Sequence, residues 1–274
     1  MEENFSEVSR FAAEFSARLA ARGTACAAIV RGCLDSTNSE GLRLLRSKSA
    51  RPPFAVAALR QSAGRGRLGR RWFSKEGASL AISVCVELAK SAEVMESFTV
   101  RAGLGVCGEL RKLCGAELFV KWPNDIYSRG GMKVAGMLAE LEIGADAAAA
   151  VFGIGVNVDF SGLSEGEIPD EIRGAACDLR SLSGGDFSVC DVAAAAVAGV
   201  LGAEKYLGRT GEEFEKFDWL KGRRVNAEAG AEKFCGIARG VDSRGRLRVA
   251  LEDGSERLLC GGEATLKKDW RPAL

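Results

Sequence analysis

Apolar residues recur at helical spacing over residues 4–22 (Phe5, Val8, Phe11, Ala12, Phe15, Leu19), which predicts a short amphipathic helix at the start of the chain. Cys26–Leu34 reads as a strand, Asp35-Ser36-Thr37-Asn38 as a turn or helix cap, and Glu40–Ser47 as a short helix. Phe54–Leu59 and the alternating run Leu80–Leu88 read as strands. From Val94 the residues Phe98, Ala102, Val106 and Leu110 return every four positions, marking a long helix that ends near Gly115. Three strand-like runs follow, Leu118–Trp122, Val134–Glu142 and Ala148–Val158. Phe160–Gly185 is polar and Gly-rich and reads as a surface loop, whereas Ala193–Gly208 is Ala-rich and helical, with Glu212–Phe217 extending it. After Trp219 the pattern changes to short strands, Arg223–Glu228, Lys233–Val241, Arg246–Glu252 and Glu256–Leu259, separated by Gly and Asp-Gly turns. That spacing predicts a small β-barrel, too small to be stable alone and so docked on the larger unit. The organisation expected is therefore residues 1–218 as one domain and 219–274 as a second.

Composition narrows the class. The 274 residues carry a net charge of +1, with 47% hydrophobic and 27% charged residues, as in an ordinary globular protein. No apolar run is long enough to span a bilayer, so no membrane association is expected. The N-terminus, Met-Glu-Glu-Asn, lacks a signal-peptide layout. Nine scattered cysteines with no CxxC pair read as reduced, buried thiols in a cytoplasmic protein. The chain has no histidine, which excludes Ser-His-Asp and Cys-His catalysis and any histidine metal ligand. Chemistry that leans on Arg, Lys and a metal for charge stabilisation is what remains.

Against this neutral background one stretch stands out, Arg60-Gln-Ser-Ala-Gly-Arg-Gly-Arg-Leu-Gly-Arg-Arg-Trp72. Arg65, Arg67, Arg70 and Arg71 repel one another, and Gly64, Gly66 and Gly69 resist helix and strand. Such a segment suits a loop ordered around an anion, with guanidinium forks on carboxylate or phosphate oxygens. A G-x-G-x-x-G match within it is no dinucleotide fingerprint, because a strand-like run follows rather than a helix. Four further patterns admit both a structural and a functional reading. Lys121-Trp-Pro-Asn-Asp125 sets Asn124 and Asp125 at a strand end, where Pro-Asn-Asp is also ordinary turn chemistry. Lys133 opens a half-buried strand containing Gly136, either as a charge in a cleft or as a guard on an edge strand. Gly153-Ile-Gly-Val-Asn157 places glycines where another group can approach a strand, and Asn157 needs partners if buried. Ser36-Thr37-Asn38 offers compact donors and acceptors, or only a helix N-cap.

In this order, the five patterns closely resemble those of biotin–protein ligases, also called biotin–[acetyl-CoA-carboxylase] ligases. The Gly-Gly-Glu-Ala-Thr-Leu run at 261–266 looks like that family's terminal barrel, and the likeness spans roughly residues 30–270. The resemblance implies synthesis of biotinyl-5′-AMP from biotin and ATP, then transfer of biotin to a lysine of a biotin carboxyl carrier protein. It implies an α/β (α+β) fold, with a mixed, largely antiparallel sheet backed by helices and a C-terminal SH3-like β-barrel. It further implies biotin contacts from Ser36, Thr37, Asn38, Gln61, Gly64, Arg65, Gly66, Arg67, Lys133 and Gly136. Nucleotide contacts would come from Arg67, Arg70, Trp72, Asn124, Lys133 and Asn157, with Asp125 near the Mg²⁺ that accompanies ATP. Lys133, Arg65 and Arg67 would be catalytic, neutralising two anions that must touch. A carboxylate nucleophile needs no general base, in keeping with the lack of histidine. Residues 62–71 are expected to be mobile without ligand and to close over a hydrolysable anhydride.

About 35 residues precede Asp-Ser-Thr-Asn, fewer than a DNA-binding domain plus linker, so a monofunctional ligase that binds no DNA is expected. Monomer and homodimer both remain open. Two alternatives also stand: a lipoate–protein ligase using the same adenylate chemistry, and a nucleic-acid-binding protein gripping phosphates with the arginine loop. The terminal segment 219–274 has twelve Lys/Arg against eight Asp/Glu, a mild excess that suits docking an acidic carrier equally well.

Overall fold

A computed structural model describes residues 5–143, 148–229 and 232–266. Seven strands form the main sheet: β1 (Ala27–Leu34), β2 (Phe54–Gln61), β3 (Ser79–Leu88), β4 (Leu118–Lys121), β5 (Asp125–Ser128), β6 (Lys133–Ile143) and β7 (Ala148–Asn157). Their order is β1-β2-β3-β7-β6-β5-β4, with β1 and β2 parallel and every other pair antiparallel. The mixed, largely antiparallel sheet expected from the sequence is present. The Pro-Asn-Asp turn is shorter than expected, because Asp125 already starts β5 and pairs with Lys121 across the hairpin.

Alternation along the central strands sends side chains to two different layers. On one face, Ala55, Ala57, Leu80, Ile82, Val84, Phe152, Ile154 and Val156 join the main core. There α3 (Ala92–Cys114) and α5 (Val189–Leu201) back the sheet, with α1 (Phe5–Ala21) against β1 and α5. Ser91 caps α3 by accepting from Val94 N–H, and Gly115 ends it in the left-handed conformation. On the other face, α2 (Thr37–Arg46) covers Phe54, Val56, Cys85 and Val151. The cavity described below opens on that face beside the N-terminal end of α2.

Helices α3 and α5 cross where Gly105 meets Gly199. A Cβ on Gly105 would lie 2.0 Å from the Gly199 carbonyl oxygen, and one on Gly199 would lie 2.5 Å from Val106 N. Backbone therefore packs on backbone, which only glycine permits at this distance.

The C-terminal strands β8 (Arg224–Ala229), β9 (Glu232–Val241), β10 (Leu247–Ala250), β11 (Glu256–Leu259) and β12 (Glu263–Leu266) form an antiparallel sheet in the order β11-β10-β9-β8-β12. The expected barrel is corrected here: β11 and β12 are the two edges and do not pair among the described residues. The sheet does not need to close on itself. Val225, Ala227, Ala238, Val241, Leu247, Val249, Leu259 and Ala264 share one hydrophobic cluster with the main core, so the larger unit covers its apolar face. Trp122 at the end of β4 donates its indole N–H to the Gly245 carbonyl at 2.9 Å, tying the sheets together. Two short helices, α4 (Leu179–Ser183) and α6 (Thr210–Glu215), complete the fold.

Between the two sheets, Asp218 Oδ1 accepts from Leu220 N–H at 2.7 Å, while Oδ2 is buried without a partner among the described residues. Burial pushes this carboxyl up to about 6, against the opposing pull of the backbone N–H groups of Leu220 and Lys221.

Two outcomes are expected. Gly199→Ala should destabilise the protein by about 2–3 kcal/mol, because its methyl meets backbone that cannot move aside, and urea unfolding at equilibrium measures this. Asp218→Asn tests the buried carboxyl. Between about pH 4 and 6 the folded chain holds a proton there that the unfolded chain has lost, so Asp218's contribution to stability falls as pH rises through that window. The asparagine variant should melt above the native chain at pH 8, with the gap closing by pH 5 in thermal scans.

Candidate active site

A cavity of about 840 Å³ lies on the α2 face of the main sheet, a size typical of small-molecule sites. Its floor is the N-terminal end of α2. Ser36, Thr37 and Asn38 are all nearly fully buried. Ser36 occupies the N-cap position, but its hydroxyl makes no capping bond, so the purely structural reading of this triplet fails there. Gln61 supplies the missing cap: its Oε1 accepts from Thr37 N–H at 2.8 Å and from the Thr37 hydroxyl at 3.3 Å. Asn38 donates from Nδ2 to the Leu138 carbonyl and to Glu140, and its Oδ1 accepts from Ser83 at 2.6 Å.

Glycines on the cavity face of β6 and β7 leave space that other side chains fill. A Cβ on Gly153 would lie 2.2 Å from Asn38 Oδ1, and one on Gly155 would lie 2.1 Å from the Trp72 indole. Gly136 accommodates the end of Lys133 at 3.0 Å. Lys133 reaches this face through an irregularity in pairing. Ala135 opposes Ile126, but Lys133 opposes Tyr127, so one extra residue is accommodated on β6. Such a bulge re-aims a side chain. The Lys133 ammonium then lies 2.8 Å from Asp125 Oδ1 and 5.8 Å from the Trp72 ring centroid.

The arginine segment leaves β2 as a short hairpin that reaches over the cavity. Trp72 N–H donates to the Gly64 carbonyl, Gly66 N–H donates to the Arg70 carbonyl, and Arg65 bridges Arg71. Gly64 forms the base of this hairpin against Gln61 and Trp72 and is not part of the cavity wall, whereas Gly66 is. Each cation has its own counter-group. Arg65 meets Glu140 at 3.1 Å, and Arg70 meets Glu263 at 2.5 Å. Arg67 donates to Asn124 Oδ1 at 3.1 Å and to the Gly262 carbonyl at 2.8 Å. Burial lowers the Arg67 guanidinium's pKa, with Glu263 and Asp125 opposing the shift. Burial likewise lowers the Lys121 ammonium, again opposed by Asp125. Arg71 lines the cavity rim and donates to the Ser62 carbonyl. The four arginines thus line one cavity and its rim, with Arg65, Arg70 and Arg71 remaining exposed to solvent.

Asn124 and Asn157 both line the cavity. The Asn157 amide Nδ2 is committed to the Lys133 and Cys177 carbonyls, and that of Asn124 to the Met137 carbonyl. Both hold strand ends in place around Lys133. The segment read as a surface loop is corrected here: Pro169, Glu171, Ile172 and Ala176 form cavity wall. Lys133 N–H donates to the Ala175 carbonyl, and the Lys133 carbonyl accepts from Cys177 N–H, stitching this segment to β6. The apolar residues Ile168, Pro169 and Ile172 within a polar stretch were the available signal.

Sequence reasoning gave no role to Glu140, Glu263 or Ser74. The Trp72 indole N–H and the Ser74 hydroxyl face this cavity region buried and without partners among the described residues. No cluster of three or more His, Cys, Asp or Glu side chains gathers among the described residues. A metal held mainly by phosphate oxygens needs only one or two protein carboxylates, and Asp125 lines the cavity.

Gly155→Ala should eject the Trp72 indole, seen as a change in tryptophan emission. That change should be lost when the substitution is made in a Trp72→Phe background.

Comparison with known proteins agrees with this arrangement. Residues 31–157 match the biotin/lipoate A/B protein ligase family, and residues 221–267 match the biotin protein ligase C terminal domain. The bifunctional ligase/repressor BirA of Escherichia coli is 35% identical over 243 residues, 85% of this chain and 72% of that protein. The biotin–[acetyl-CoA-carboxylase] ligase of Mycobacterium tuberculosis is 29% identical over 221 residues, 77% of this chain and 79% of its own. The structure of a biotin protein ligase from Aquifex aeolicus in complex with biotin and ATP superposes with a TM-score of 0.71 at 28% identity, covering 88% of this chain and 98% of that one. With cations, glycines and a buried polar floor around one cavity, and with these likenesses spanning both sheets, the chain belongs to the biotin protein ligase family.

Proposed function

We propose that this protein activates biotin with ATP, releasing pyrophosphate, and passes biotin from biotinyl-5′-AMP to a lysine of a biotin carboxyl carrier protein in the cytoplasm. The observation that carries this reading is a single cavity that joins a neutral polar floor to a cluster of five cations. Ser36, Thr37, Asn38 and Gln61 suit a ureido ring, which offers both N–H and C=O groups. Arg65, Arg67, Arg70 and Lys133 suit a carboxylate and a triphosphate. In the relatives, biotin and ATP are the ligands named for the Aquifex enzyme. Residues 1–218 would be the catalytic unit and 219–274 an appended module that braces the arginine hairpin through Gly262 and Glu263.

The first step joins a biotin carboxylate oxygen to the α-phosphorus while the bond to pyrophosphate breaks. Both reactants are anions, so their mutual repulsion is the barrier a protein can remove. Lys133 would meet both, and its ammonium lies beside Gly136 and Asp125. Arg67 and Arg70 would take charge developing on the leaving phosphates. Asp125 would help hold the Mg²⁺ that arrives with ATP, and that ion would offset phosphate charge. The indole of Trp72 and the hydroxyl of Ser74 supply unpartnered donors on the nucleotide side. In the second step the amine of the acceptor lysine attacks the acyl carbon and AMP departs, so no protein nucleophile is needed. Gly64–Arg71 would close over the adenylate and keep water from it.

Exchange of label between pyrophosphate and ATP tests this directly. It should depend on biotin, and lipoate should not replace biotin. Lys133→Ala should slow it by about 100-fold or more. Exchange indifferent to biotin would sink the assignment, and undiminished exchange in the variant would remove Lys133 from the chemistry.

A further inference from the structure

Glu140 ends the Lys133–Gly136 strand pattern and the family likeness gives it no role, yet it links two parts of the site. It stands on β6, on the face that carries Gly136 and Leu138, with its side chain about one quarter exposed (27%). One oxygen, Oε2, accepts from Asn38 Nδ2 at 2.7 Å and from Arg65 Nη2 at 3.1 Å, and Oε1 lies 3.4 Å from the same Nη2. A single carboxylate therefore joins the cavity floor to the arginine hairpin.

The hydrogen bonds of Arg65 all leave from Nη2, to Glu140 and to Ser39 Oγ at 3.2 Å. The Nε and Nη1 groups make no hydrogen bond within the described residues, and Arg65 lines the cavity. A guanidinium is planar, so anchoring one nitrogen fixes the direction of the other donors. Here the anchored nitrogen points to the protein and leaves the rest of the fork for a ligand. Asn38 is fixed by the same carboxylate. With Nδ2 spent on Leu138 and Glu140, its Oδ1 must face Ser83.

We propose that Glu140 is a positioning residue that aims the open edge of Arg65 at the biotin carboxylate. This rests on the reading of Arg65 given above. Without Glu140, the guanidinium hangs from a hairpin rich in glycine and is held by Ser39 alone. The ligand must then order it, and affinity falls by the cost of that ordering. The opposite effect is equally concrete. A carboxylate that merely competed with biotin for Arg65 would tighten binding when removed.

Calorimetric titration of the intact chain with biotin distinguishes these outcomes. Glu140→Gln should weaken binding about tenfold, the scale of one charge-assisted hydrogen bond. In an Arg65→Gln background the same substitution should cost nothing further, because the glutamine oxygen still accepts from Asn38 and the remaining effect runs through Arg65. Ser39→Ala, which releases the same nitrogen without touching Asn38, should weaken binding in the same direction by less. ATP affinity should be unchanged in both single variants. Unchanged or tighter biotin binding in Glu140→Gln overturns the proposal, as does a loss that persists in full without Arg65. Should Glu140→Gln fail to fold, unaltered binding in Ser39→Ala overturns it instead. A native chain that does not bind biotin at all defeats the proposed function, and this inference with it.

Discussion

The confinement of five cations, Arg65, Arg67, Arg70, Arg71 and Lys133, around one cavity is the constraint on which the rest of the site depends. At an effective dielectric of about 20, unit charges of like sign 6–8 Å apart repel by roughly 2–3 kcal/mol. The chain holds such a cluster by giving four of these cations partners from other elements, while Arg71 donates to the Ser62 carbonyl of its own hairpin. Glu140 on β6 serves Arg65, Asp125 on β5 serves Lys133, Glu263 on β12 serves Arg70, and the Asn124 side chain with the Gly262 carbonyl serves Arg67. These partners come from both sheets, so the arginine hairpin is positioned only when the whole fold is assembled. Exposed pairs of this kind contribute little to stability by themselves. Their consequence is geometric: each fixes the direction of a donor.

A second constraint is space. The cavity exists because β6 and β7 present Gly136, Gly153 and Gly155 where alternation would otherwise place side chains. Trp72 and Asn38 occupy two of those gaps, and Lys133 folds over the third. The irregular pairing of β6 with β5 brings Lys133 onto this face, since strict alternation from Gly136 would turn it away. Glycine and bulge act together. One clears the floor and the other delivers the charge.

The two sheets also pack against each other beside the site. A shared apolar cluster covers the inner face of the C-terminal sheet, and Trp122, adjacent to Asn124 and Asp125, donates to that sheet's Gly245. The buried carboxyl of Asp218 lies at this junction and is held well above its ordinary range. Residues 118–125 thus contribute to the interface between the sheets through Trp122 and to the cavity through Asn124 and Asp125.

Much was legible along the chain. Helical and strand periods located most elements, because burial on two faces of a sheet leaves a strong alternation and α3 a strong repeat of four. The arginine hairpin, Lys121–Asp125, Lys133 and Gly153–Asn157 stood out because charge and glycine inside apolar strands are costly without a purpose. What the sequence could not disclose was which carboxylate meets which cation. Glu140 and Glu263 look like any surface acid, and only strand pairing brings them to Arg65 and Arg70. Nor could it show that residues 169–176 wall the cavity, since their contact with Lys133 is a backbone bridge that any side chains would permit. Closure of the C-terminal strands into a barrel was misjudged for a related reason: local turns specify neighbouring pairs, but whether the last edges meet depends on what else covers the sheet. Composition and local pattern determined the chemistry this protein carries. Tertiary structure alone decided its geometry, because long-range pairing and close approach leave no periodic trace in a linear chain.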